Sequence, residues 1–185
     1  VDDVRLIYFA MTSLDGYIED EHGKFDWAAP DEEVHAFVND LVRPVDAFLY
    51  GRRMYETMVF WETATDGPEV FQDFAGIWRD AEKIVFSRTL GETASERTRI
   101  EPEFRPEAVR EVLSESANGA MIGGAELAGA ALAAGLVDEY HAIVAPYVAG
   151  GGKPALPPGM GIPLSLQDSR SFAAGMVYLR YRVSS

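Results

Sequence analysis

Short runs of β-branched and aromatic residues alternate along this chain with segments of helical apolar spacing. That alternation restricts the fold more than any other feature. Strands separated by helices pair most readily as parallel neighbours, so the pattern predicts an α/β fold with a mostly parallel central sheet flanked by helices. "RLIYFAM" (5–11), "DAFLYG" (46–51), "KIVFS" (83–87) and "GAMIGG" (119–124) read as its buried strands. "VDEYHAIVAPYV" and "MVYLRYRVS" complete the sheet, the last of them expected to be antiparallel to a neighbour. A helix is expected from Pro30, because proline suits the first helical position and Asp31, Glu32 and Glu33 suit the positive end of the dipole. Val34, Phe37, Val38 and Leu41 give that helix one apolar face. Further helices are expected in "RRMYETMVFW", "PEVFQDFAGIW", "PEAVREVLSES" and "AELAGAALAAG". Residues 12–30 read as a turn-rich loop and 146–170 as a long Gly- and Pro-rich connection. No repeat or linker divides the chain, so one domain over 1–185 is expected.

Composition narrows the function classes. A length of 185 residues with 48% hydrophobic content suits one sizeable core. No apolar run approaches the roughly 18 residues needed to span a bilayer, and the acidic start of "VDDVRLIYFAMT" does not read as a signal peptide. Cysteine is absent, which excludes disulfides, thiolate metal sites and a cysteine nucleophile, and fits a reducing cytoplasm. The three histidines are scattered without metal-ligand spacing, so no metal is expected. A formal charge of −14 argues against a nucleic-acid partner. Sixteen Lys and Arg remain, enough to gather a small anion if several converge on one cleft.

Three strand ends have that character. Gly123 and Gly124 close one strand and open a helix, where glycine permits positive φ and close approach of a phosphate to free N–H groups. The same stretch also reads as a plain strand-to-helix turn, since it lacks three spaced glycines. "YGRRMYETM" repeats the scheme with Gly51, Arg52 and Arg53, and "FSRTL" adds Ser87 and Arg88. Parallel strands present such ends at one edge, where ligands of α/β sheets bind. Of the remaining residues, Asp31 or Glu32 is placed to supply a proton or only to partner the helix dipole, Asp15 to contact a substrate or to hold an Asp-Gly turn, and Trp27 to cap a pocket or fill the core. Phe37 is the helix residue nominated for the substrate side.

In their order, "FAMTSLDGYIE", "DWAAPDEEVHAF", "DAFLYGRRMYETM", "KIVFSRTL" and "MIGGAELAGAALAAGLVDEYHAIVAPYVAGGGKP" resemble the dihydrofolate reductase-like superfamily. The closest branch is the reductase domain of bifunctional riboflavin-biosynthesis enzymes. The resemblance covers nearly the whole chain. It implies NADPH lying across the strand ends and a homodimer. It places Ala10, Met11 and Ile18 beside the nicotinamide, and Gly51, Arg52, Arg53 and Met54 along the phosphates. Ser87 and Arg88 would meet the adenosine 2′-phosphate, and Ile122, Gly123, Gly124, Ala125, Glu126 and Leu127 the pyrophosphate and ribose. It also implies a cis bond between Gly123 and Gly124.

Departures from the family pattern shape the expected activity. Glu32 stands where the superfamily has its proton-assisting acid. Ala81 stands where folate reductases have the arginine that grips the folate tail, with Arg79 off register, and Ala128 replaces a tyrosine of the nicotinamide pocket. Tyr17 follows the "SLDG" glycine where the riboflavin branch has a basic residue, and no fused deaminase is expected within these 185 residues. The expected activity is therefore NADPH-dependent hydride transfer to a small heterocyclic or carbonyl-like substrate, not folate by preference. The alternatives are 5-amino-6-(5-phosphoribosylamino)uracil reduction and a non-catalytic ligand-binding protein on the same fold.

Overall fold

The structure, a computed structural model, describes residues 6–184. Among them ten strands form: β1 (Leu6–Thr12), β2 (Tyr17–Glu19), β3 (Ala47–Gly51), β4 (Glu82–Phe86), β5 (Thr98–Glu101), β6 (Ala120–Gly123), β7 (Glu139–Val144), β8 (Lys153–Pro154), β9 (Leu164–Ser171) and β10 (Val177–Val183). Eight make one sheet in the order β5-β4-β3-β6-β1-β7-β10-β9, while β2 and β8 form a separate antiparallel ribbon. Pairings from β5 across to β7 are all parallel. The C-terminal β10 runs antiparallel to β7 and β9, as expected for the last strand.

Six helices complete the frame: α1 (Glu32–Val42), α2 (Arg52–Met58), α3 (Phe60–Thr63), α4 (Glu69–Asp80), α5 (Pro106–Glu115) and α6 (Ala125–Ala133). Val34, Val38 and Val42 of α1, with Phe74 and Trp78 of α4, pack on one face of the sheet against Phe48, Tyr50, Val85, Met121 and Ile143. On the other face α5 and α6 bury Val109, Val112, Leu127, Ala128 and Ala131 against Leu6, Tyr8, Leu49, Ile84 and Ile122. Leu49 and Tyr50 are successive residues on opposite faces, which is the period of two that a strand covered on both sides requires. Small side chains in α6 let it sit close to the strands, and Ala128 and Ala131 are fully buried there.

Several expectations need correction. Pro30 does not open α1. Asp31 is its N-cap, and its side chain accepts a 2.9 Å hydrogen bond from Val34 N. "RRMYETMVFW" breaks at Val59 into α2 and α3. The loop 12–30 contains β2 and a short 3-10 turn over Asp26–Ala28. The connection 146–170 contains β8 and most of β9, while Pro146 ends the preceding strand early, at Val144. Every residue of β9 is exposed, and beyond Leu164 and Leu166 "LSLQDSRS" carries no apolar alternation that would mark it as a strand.

Candidate functional site

Parallel register brings the three suspected strand ends level. Gly51 pairs with Phe86 and Tyr50 with Gly123, so β3, β4 and β6 finish side by side at one edge. Gly51, Arg52 and Arg53 leave β3, Ser87 and Arg88 leave β4, and Gly123 and Gly124 leave β6. These seven residues, separated by up to 73 positions in sequence, share one rim.

At β6 the backbone sets the requirement. Gly124 has φ of +93° and caps α6 without a side-chain hydrogen bond. An L side chain at that φ is strained with or without a ligand. The first-turn N–H groups of Ala125, Glu126 and Leu127 point out of the helix start, as those of any helix do. Gly123 has ordinary backbone, but an added Cβ would lie 3.3 Å from Met54 Cε, so Met54 packs directly against the glycine pair. The described residues contain no cis peptide, which corrects the expectation for the Gly123–Gly124 bond. Glu126 brings only its main chain to this rim. Its side chain is exposed and pairs with Lys153 at 3.3 Å.

The arginines are all engaged. Arg52 donates to Glu56 at 2.8 Å and to Thr89 Oγ1 at 2.7 Å. Arg53 reaches Glu19 at 3.5 Å, and Arg88 reaches Glu103 at 2.7 Å. These pairs are solvent-exposed and individually weak, so an incoming phosphate can take the guanidinium groups over. Ser87 Oγ accepts from the backbone N–H groups of Thr89 and Leu90, which folds the loop after β4 and brings Thr89 to Arg52. Thr89 and Glu103 carried no signal in the sequence. Only the register of β4 on β5 brings Glu103 to Arg88.

The other nominated residues divide between the two faces of the sheet. Ala10 is buried and Ile18 half-buried on the α5–α6 side, whereas Met11 lies on the α1 side. Trp27 stacks on Tyr147 with centroids 5.3 Å apart and planes 7° apart. Its Nε1 is buried and has no hydrogen-bond partner among the described residues. Phe37 turns toward β10, edge-on to Tyr178 at 4.7 Å and Phe172 at 5.3 Å, with Arg170 over its ring. Packing of α1 on the sheet therefore occupies it. Asp15 is likewise occupied: it accepts from Ser13 Oγ at 2.6 Å and from the backbone N–H groups of Ala149 and Gly150. Those hydrogen bonds, Ser13's foremost, hold its carboxyl down at about 2.

Of the three acids at the α1 start, Asp31 is the cap and Glu33 pairs with Arg170 at 3.5 Å. Glu32 is exposed and has no hydrogen-bond or ion-pair partner among the described residues. A cleft of about 890 Å³ also lies between the β2–β8 ribbon and the first turn of α6. Among the described residues that line it, Glu19, Asp20, Glu21 and Glu126 stand against the single cation Lys153, so its charge disfavours a phosphate. The arginine-bearing rim is the better anion site. No group of acids and histidines among the described residues is arranged to hold a metal.

Known proteins resemble this chain in sequence and in fold. The RibD C-terminal domain family matches residues 4–179. The uncharacterized protein YyaP of Bacillus subtilis is 28% identical over 178 residues, which are 96% of this chain and 94% of that protein. A deaminase/5-amino-6-(5-phosphoribosylamino)uracil reductase from Thermotoga maritima superposes with a TM-score of 0.70 at 14% identity, over 97% of this chain and 56% of the other. A dihydrofolate reductase from Enterococcus faecalis complexed with NADP(H) superposes with a TM-score of 0.69 at 13% identity, over 99% of this chain and 98% of the other. The sequence match spans almost the whole sheet, from β1 into β10, so the chain belongs to the RibD C-terminal domain family and has the dihydrofolate reductase-like fold.

Proposed function

We propose that this protein is an NADPH-dependent reductase of a small heterocyclic or carbonyl-like substrate. The observation that carries the reading is the level alignment of three strand ends bearing Gly51–Arg52, Ser87–Arg88 and Gly123–Gly124. Such an edge fits a dinucleotide: donors and cations for its phosphates stand in a row, and glycine backbone lies where the ligand must come close. Arg52 and Arg53 would hold the phosphates, Ser87 and Arg88 the 2′-phosphate, and the α6 start the pyrophosphate. The bound cofactor supplies the hydride. Ala10 and Ile18 would present an apolar wall to the nicotinamide.

The chain's own residues do the rest. Glu32 is the uncommitted acid of the α1 start, and it is assigned to deliver the proton. The buried Trp27 Nε1–H is an unsatisfied donor, a state that costs about 1–3 kcal/mol until something accepts from it, and a substrate carbonyl or ring nitrogen would do so. Asp15 fixes the 12–16 loop to residues 149–150, which holds the apolar residues around it in place. Membership of the RibD C-terminal domain family supports a second reading, reduction of 5-amino-6-(5-phosphoribosylamino)uracil. A homodimer belongs to the proposal too. Leu164 and Leu166 are exposed on β9 opposite Val183 and Tyr181, an apolar strip that a second copy would cover.

The test uses NADPH deuterated at the transferable position of the nicotinamide, with a panel of electron-poor C=N and C=O compounds that includes the riboflavin-pathway pyrimidine. Carbon-bound deuterium in a reduced product is the expected result. Turnover of the pyrimidine above the others would select the second reading. Absence of deuterium transfer to every compound would count against both.

A further inference from the structure

The loop after β4 and the loop after β5 leave the sheet in parallel. Phe86 pairs with Glu101, and Ser87 N donates to Glu101 O at 2.8 Å. Two residues further along each chain segment, the same register brings Arg88 opposite Glu103, and Arg88 Nη2 donates to Glu103 Oε2 at 2.7 Å. Both side chains are largely exposed, at 76% and 53%. The pair is therefore not a structural clasp for the core, and breaking it changes stability little.

Its position gives it another meaning. Resting on the reductase reading above, Arg88 is the cation for the cofactor's 2′-phosphate, and Glu103 is a carboxylate already bound to that cation. We infer that Glu103 is a specificity-determining residue: it competes with the 2′-phosphate for Arg88 and so weakens the preference for NADPH over NADH. A guanidinium has five N–H donors and can keep Glu103 while meeting a phosphate. The two anions then stand within a guanidinium's width of each other, and their repulsion acts only on the phosphorylated cofactor. NADH has no phosphate there and does not feel it.

Calorimetric titration of the full chain and of Glu103→Gln tests this, with adenosine 2′,5′-bisphosphate, adenosine 5′-monophosphate, NADPH and NADH as ligands. The amide keeps the size of the carboxylate and removes its charge, and the exposed position protects the fold. The variant is expected to bind the two 2′-phosphorylated ligands about three- to fivefold more tightly, as an exposed charge pair of up to about 1 kcal/mol implies. Adenosine 5′-monophosphate and NADH are expected to bind as before. The gain should vanish in an Arg88→Ala background and shrink as salt is raised. Binding by both forms with an unchanged ratio of phosphorylated to unphosphorylated ligand overturns the inference alone. Binding of neither NADPH nor NADH by either form overturns the reductase reading, and the inference with it.

Discussion

Gly152 is packed so closely against the backbone of Glu19 that no side chain fits between them: an added Cβ would overlap the Glu19 carbonyl oxygen. Gly152 also has φ of +127°, whereas the adjoining Gly151 faces only the movable Glu21 side chain. Gly152 therefore lets residues 19–20 come close to the start of β8, and it holds the two strands of the β2–β8 ribbon together. Gly152→Ala is expected to destabilise the protein by about 1–3 kcal/mol through overpacking and backbone strain. Thermal unfolding measures this, and an unchanged midpoint would show that the ribbon can move aside freely.

Arg88→Ala should weaken NADPH by about tenfold, the scale of a lost charged hydrogen bond, and leave NADH nearly unaffected. Parallel titrations with the two cofactors check it. Equal losses for both would remove Arg88 from the 2′-phosphate.

Glu32→Gln should lower kcat by about a hundredfold while NADPH affinity stays as in the parent, since the residue is assigned to proton delivery and not to cofactor binding. Single-turnover kinetics and a binding titration separate the two. A variant with unchanged kcat would return the proton to solvent.

The pH dependence of stability should be set in part by a buried polar cluster between β7 and β10. His141 Nε2 lies 2.8 Å from Glu139 Oε2, Tyr178 Oη lies 3.0 Å from His141 Nδ1, and Arg180 makes a two-pronged contact with Glu139. Burial holds the His141 pKa below its ordinary value, against the pull of Glu139. Burial pushes Glu139 up, but hydrogen bonds from Arg180 and His141 outweigh it and hold the carboxyl low. Between the folded and unfolded pKa values the unfolded chain binds more protons at both sites, so stability rises with pH there. The protein should lose stability as pH falls below about 6.5, the unfolded histidine value, and lose more below about 4.3, the unfolded glutamate value. His141→Gln should flatten the upper part of that slope in thermal melts taken across pH. An identical slope would mean that other groups carry it.

Much of this was legible in the sequence, because periodicity marks whatever is covered on both sides. β3, β4 and β6 stand out as apolar runs, and their register-aligned ends follow from a parallel sheet. β9 was illegible for the opposite reason: all its residues are exposed, and only the ladder with β10 makes it a strand. The short β2 and β8 depend on each other and on Gly152, a contact 133 residues apart that no local pattern encodes. In the candidate site, Gly124 was readable because its backbone demands glycine. The pairing of Arg88 with Glu103 was not, since it arises from neighbouring strands. Asp15 anchors its loop to residues 149–150 and Phe37 packs on Tyr178, contacts between distant segments that no local pattern encodes.

The most direct test of the reductase reading is quenching of tryptophan fluorescence on titration with NADPH, with adenosine 2′,5′-bisphosphate as competitor. Trp27, stacked on Tyr147, is one of three tryptophans able to report binding. Saturable quenching that the bisphosphate reverses is the expected result, because it shows a dinucleotide bound through its 2′-phosphorylated adenosine half, the half assigned to Ser87 and Arg88. An absence of saturable quenching, with the protein folded by circular dichroism and no heat of binding by calorimetry, would contradict the account and leave Gly51 and Gly124 as turns alone.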